Sequence, residues 1–351
     1  MIELSLQRYA LLALAAAALF GASTPLAKLL LGVVSPVVLA GLLYLGSGLG
    51  LALLRLARGI DQRPREAPLA ARDWGWLAGA ILAGGIVAPV LLLWGLSGSG
   101  AAETSLLLNF ESLITILVAA ALFREAVGVR VWYAALVMLA GGVVLAYDPG
   151  APLAFSLQSL AIVGACFCWA LDNNLTRKVA AADPVVTAMA KGLAAGSFNL
   201  ALGLALGGTF PVFGAAAGAL ALGFVAYGVS LVLFIYALRH LGAARTAAHF
   251  STAPFIGAAL AVPLLGEPLT AGLLAAATLM AVATWLVLTE SHLHVHEHGH
   301  LVHSHRHVHD EHHHHAHHCG EGPEPHAHEH VHEPMRHAHP HVPDLHHRHE
   351  H

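Results

Sequence analysis

Ten apolar stretches, each about 18–25 residues long, follow one another between residues 9 and 289, separated only by short polar or Gly/Pro breaks. They fall at 9–31, 35–57, 75–97, 101–123, 130–147, 157–177, 184–207, 214–238, 243–265 and 268–289. As helices they measure roughly 27–37 Å, against a hydrocarbon core of about 30 Å. No water reaches backbone amides at that depth, so segments of this length are predicted to be helices, each satisfying its own backbone. Charged residues make up 11% of the chain. A soluble surface needs about 25%. The first stretch is too long for a signal-peptide core and is read as a retained span. The net charge of −4 gives no footing for nucleic acid. Cys166, Cys168 and Cys319 are too few and too scattered for a disulfide framework.

Basic residues orient the spans. If both termini are cytoplasmic, Arg8, Arg55, Arg58, Arg63, Arg65, Arg72, Arg124, Arg130, Arg177, Lys178, Arg239 and Arg245 all lie at or near that side. The opposite loops, 97–100, 148–159 and 207–214, hold no Lys or Arg. The positive-inside rule then predicts a multi-pass protein of the inner or plasma membrane with both ends in the cytoplasm.

The two halves of this region resemble each other. A shift of 142 residues lays "AAETSLLLNF" (101–110) on "AARTAAHFST" (243–252) and Glu125 on Glu267. A slightly different shift lays "FGASTPLAK" (20–28) on "WALDNNLTR" (169–177), with Lys28 over Arg177. Five spans is an odd number, so the second half enters the membrane from the opposite face, as an inverted repeat. Together with "LLGEPLTAGLLAAATLMAVATWLV" (264–287), these features resemble the EamA-type drug/metabolite transporters over about residues 9–289. The first half keeps only Glu125 of the Gly-Glu-Pro junction at 266–268. The resemblance implies a secondary transporter of ten helices, with repeats at 9–147 and 157–289, exporting small metabolites or amino acids. The Gly-x-x-x-Gly spacings, for instance Gly75–Gly79 and Gly192–Gly196, are no more frequent than 35 glycines produce by chance and carry no weight here.

Ionisable side chains inside spans cost at least about 2.5–3.5 kcal/mol at a helix centre and mark candidate sites. Glu111, near Asn109 and Ser112, lies ten residues into span 4, roughly 15 Å from the outer surface. A carboxyl there could take up a proton or a cation in a transport cycle, or be a protonated group bonded to a neighbouring helix. Asp172 and Lys191, at similar depth on spans 6 and 7, are expected to pair. His249 either lines a cavity or is satisfied within the core. Asn173, Asn174, Asn199 and Thr252 are candidates for a polar path. Lys28 and Glu103 sit near outer span ends, where snorkelling is easy. Glu125 and Glu267 are expected to favour the N-terminal dipoles of the helices that follow them.

The remainder, 291–351, is a different material, holding 26 of the 28 histidines. Imidazole is the commonest protein ligand for borderline metals. His307, His309, His312, His313, His314, His315, His317, His318 and Cys319 form its densest donor run. The His-Glu-x-x-His match at 296–300 needs a helix and a cleft, and inside this run it is accidental. Prolines and the lack of an apolar stripe predict a disordered cytoplasmic tail binding Zn²⁺, Ni²⁺, Co²⁺ or Cu²⁺. A neutral low-complexity expansion is the alternative.

The sequence therefore predicts an all-α membrane transporter rather than an enzyme, working in the lipid bilayer on a small-molecule substrate without a required cofactor. No nucleotide-phosphate loop points to ATP. The alternatives are a divalent-metal exporter and a membrane-anchored metal buffer or sensor. Oligomeric state is not encoded in any pattern found.

Overall fold

The computed structural model describes residues 2–57, 73–123, 128–146, 156–176, 183–241 and 243–289, and the backbone of 292–298, 301–307, 326–332 and 335–341. The described residues of the membrane region are all-α. Fifteen α-helices run in chain order: α1 Ile2–Gly21, α2 Ser23–Leu31, α3 Pro36–Ala57, α4 Asp73–Ala80, α5 Ala88–Gly98, α6 Ala101–Leu107, α7 Phe110–Phe123, α8 Val129–Ala146, α9 Leu157–Thr176, α10 Pro184–Ala205, α11 Phe213–Gly223, α12 Ser230–Leu241, α13 Ala243–Phe250, α14 Ala253–Leu265 and α15 Ala271–Leu288. Wide π-helical turns at Ile81–Val87 and Phe224–Val229 join α4 to α5 and α11 to α12. Among the described residues, nine continuous helical segments are long and apolar enough to cross a membrane. The tenth, α9, is 20 residues long but carries Asp172, Asn173 and Asn174, which lower its apolarity.

The breaks reveal the repeat. Span 4 is interrupted at Leu108–Asn109 and span 9 at Ser251–Thr252. α7 and α14 start 143 residues apart, as do the two π segments. At both breaks the backbone closes a tight turn, Asn109 N on Leu106 O at 3.1 Å and Thr252 N on His249 O at 3.3 Å. Span 1 is also broken, at Ala22. We call the end of the bundle that carries residues 2 and 289 the terminal end, and the other the distal end.

The two halves meet along α3 and α10, and glycines make that meeting close. A Cβ on Gly48 would stand 2.6 Å from Leu193 N, one on Gly192 2.7 Å from Gly48 N, and one on Gly203 2.7 Å from a Val38 methyl. The Gly192–Gly196 pair therefore does what its spacing allows, contrary to the weight of chance assigned to it from sequence. Counting motifs measures abundance and is blind to which copy faces a backbone. Gly192→Val is expected to destabilise the protein by about 1–3 kcal/mol through overpacking, read as a lower unfolding midpoint in detergent. Gly75→Ala, where nothing lies within 4 Å, is the control. An unchanged midpoint in Gly192→Val would show that the seam can spread freely.

Beyond Glu290 the described backbone comprises four short β-strands. β1 (His292–His298) pairs with β4 (Met335–His341), and β2 (Leu301–His307) with β3 (His326–His332), both antiparallel. Strict His-x-His alternation has the period of a strand. The register sets His294 opposite His339, His296 opposite His337, His303 opposite His330 and His305 opposite His328. Of the dense donor run, His307 ends β2, whereas His309 to Cys319 lie outside the described residues.

Candidate functional site

The π turn in span 3 anchors the interior. A π-helical turn leaves carbonyls without their usual partners, and three other helices supply donors. Gly84 O accepts from Tyr44 Oη of α3 at 2.8 Å and from Trp169 Nε1 of α9 at 3.0 Å. Asn199 Nδ2 of α10 lies 3.1 Å from Gly85 O and 3.3 Å from Ile86 O. A side chain on Gly84 would collide with the Asp172 carboxylate, so the bare glycine backbone lets α9 pack onto the turn.

Asp172 and Lys191 form the ion pair their depths predict. Lys191 Nζ lies 2.5 and 2.6 Å from the two carboxylate oxygens, with the side chains only 18% and 8% exposed. Thr176 Oγ1 donates to Asp172 Oδ1 at 2.9 Å. Glu111 stands nearby in the first turn of α7, within electrostatic reach of both charges. Its Oε1 accepts from Asn173 Nδ2 at 3.0 Å. Asn173 and Ser112 are exposed and Glu111 is half-buried, although all three lie on membrane-depth helices. The cluster thus holds two carboxylates and one ammonium, and Lys191 is committed to Asp172.

Half-buried aromatic rings continue from this cluster into the other half. Tyr44 stacks on Tyr227 at 6.0 Å; Tyr227 meets Phe20 edge-on at 5.7 Å. Phe20 meets Phe250 at 5.5 Å and Phe250 meets Phe234 at 4.9 Å. The terminal halves of the two broken spans pack on different neighbours, α7 on α9 and α13 on α1 and α12. Their distal halves, α6 and α14, pack together. Glu111 and the aromatic row lie on the terminal side of the α6–α14 contact.

Several candidates serve the breaks instead. Asn109 is buried, with Nδ2 on Leu106 O at 2.8 Å and Oδ1 accepting from Thr284 at 3.3 Å. Thr252 Oγ1 returns to His249 O at 2.7 Å, and His249 Nδ1 lies 2.6 Å from Arg245 O on its own helix. Asn174 is buried, bonded to Thr115 O and Ala170 O. Glu267 does not serve its following helix: α15 is capped by Thr270, and the Glu267 carboxylate reaches α6. Glu125 lies outside the described residues. Sequence reasoning missed Tyr44, Trp169 and Tyr227, because an aromatic ring in a span reads as core. The Gly84–Gly85 pair was the available signal.

An all-helical bundle of membrane-length segments, with internal symmetry and charged groups at its centre, defines a multi-pass membrane protein built from a repeat. Residues 7–147 and 157–289 each match the EamA-like transporter family, and the chain belongs to that family. An uncharacterized transporter of Methanothermobacter thermautotrophicus (strain Delta H) is 28% identical over 265 residues, spanning 71% of this chain and 77% of that protein. A protein crystal structure shares the fold at a TM-score of 0.59 and 21% identity, covering 80% of this chain and 98% of the other.

Proposed function

We propose that the protein is a secondary-active exporter of small metabolites or amino acids, working by alternating access, with Glu111 as its coupling group. The observation that carries this reading is the Glu111 carboxylate, bonded to the neutral Asn173 amide rather than to a cation, beside a neutralised Asp172–Lys191 pair. An amino acid fits such a cluster: its ammonium replaces the Asn173 contact at Glu111, and its carboxylate competes for Lys191. The aromatic row offers an apolar wall for the side chain. The terminal end is cytoplasmic on this reading, as the basic residues predict, in an inner or plasma membrane.

The tail is an accessory binder of Zn²⁺, Ni²⁺, Co²⁺ or Cu²⁺ beside the terminal opening. The opposed histidine positions of the two β ribbons support this. Two-stranded ribbons are marginal in water, and a metal shared across the register would tie the strands. Glu111, Asp172 and His249 are the candidate metal donors of the spans, and Asp172 is already paired with Lys191, so the bundle offers a divalent-metal exporter little footing.

Uptake into everted vesicles with a panel of amino acids and divalent metals tests the reading. Proton-dependent amino-acid uptake is expected, and truncation after Glu290 should preserve it while lowering Zn²⁺ binding. That binding should also fall between about pH 7 and pH 5.5, because imidazole ligates only when neutral. Reporter fusion after residue 210 should face outside. Metal uptake lost on truncation would favour the metal exporter instead.

A further inference from the structure

The bend between α5 and α6 is gripped by two opposite charges from opposite halves of the molecule. Lys28 Nζ, on α2, donates to Leu96 O at 2.6 Å, Ser97 O at 3.2 Å and Ser99 O at 2.7 Å. Glu267, between α14 and α15, accepts from Ala101 N at 2.6 Å and Ala102 N at 2.9 Å. A Cβ on Gly100 would lie 3.3 Å from Glu267 Oε2, so glycine lets the carboxylate reach the helix. Each sign matches its helix end, cation on terminal carbonyls and anion on initial amides. The two charges also act on each other. Just inside this grip the backbones converge: a Cβ on Gly257 of α14 would stand 2.7 Å from both Gly21 O and Ser105 Oγ.

We propose that Glu267 and Lys28 are the bolt of the distal gate: they hold the α5–α6 bend to α2 and to the α14–α15 junction, and the interior opens distally only when they release it. The proposal rests on the alternating-access reading and names the residues that set its balance. The Glu267 contacts join opposite halves, which a distal opening must part, and Lys28 fixes the bend that Glu267 grips. Charge-assisted hydrogen bonds of this type are shorter and stronger than neutral ones. Losing them should shift the populations of the two states without touching the Glu111 cluster.

The test uses the full chain in membrane vesicles with Cys166, Cys168 and Cys319 replaced by alanine. S105C reports the distal seam and S112C the terminal opening, each labelled by a membrane-impermeant thiol reagent added from either side. Glu267→Ala and Lys28→Met are expected to raise distal labelling at S105C at least tenfold and to lower terminal labelling at S112C. Glu267→Gln, which keeps an acceptor but no charge, should fall between. Unchanged labelling at both positions, or a rise at both, would overturn the bolt: the contacts would then be ordinary structural ties. If substrate moves the two reporters reciprocally in the parent while the variants do not, the bolt alone fails. If substrate moves neither reporter, alternating access fails as well.

Discussion

Glu111→Gln is expected to abolish proton-driven accumulation of substrate while leaving the protein folded in the membrane. Glutamine keeps the oxygen that accepts from Asn173 and fills the same space. The change to stability should therefore stay within about 0.5–1.5 kcal/mol, the worth of one hydrogen bond. What it removes is a charge state. If proton binding at Glu111 couples to substrate, accumulation should fall by roughly 5–150-fold, the range set by a coupling free energy of 1–3 kcal/mol. Exchange of external for internal substrate needs no net proton movement, so counterflow should survive. Loss of the protein from the membrane would make Glu111 structural. Normal gradient-driven accumulation would remove it from the coupling path.

The second large effect concerns the buried ion pair. Asp172→Asn alone strands the Lys191 ammonium beside the π turn, and breaking a buried pair this way costs about 3–5 kcal/mol. Asp172→Asn with Lys191→Met removes both charges and should recover most of that loss. Thermal unfolding of the single and double variants in one detergent reads this as a coupling energy. Additive effects would mean that the short contacts carry no interaction energy.

The sequence made the spans legible because a membrane imposes both their length and their apolarity. It made Glu111, Asp172 and Lys191 legible because charge at that depth needs a reason. The break at Leu108–Asn109 was not legible, since its surroundings read as continuous apolar helix, whereas the break at Ser251–Thr252 was signalled by Pro254 in the first turn of α14 and the signal went unused. The target of Glu267 was hidden for another reason. Its partners lie 166 and 165 residues away, while the local rule for a carboxylate before a helix pointed to α15. The π turns escaped because helical periodicity registers one extra residue per turn only as a small slip in phase.

The glycine seam between α3 and α10 has a mechanical consequence. Side chains interlocked across an interface must change rotamers when the surfaces turn past each other, and a close-packed interior resists that. Along much of this seam one main chain rests against another, with no side chain to reset. If the halves of the protein tilt as rigid bodies, this line is the natural pivot, and motion about it would be low in friction. Bulk added at Gly48 or Gly192 should then slow the turnover of any protein that still folds, even where resting occupancy of the two states is unchanged.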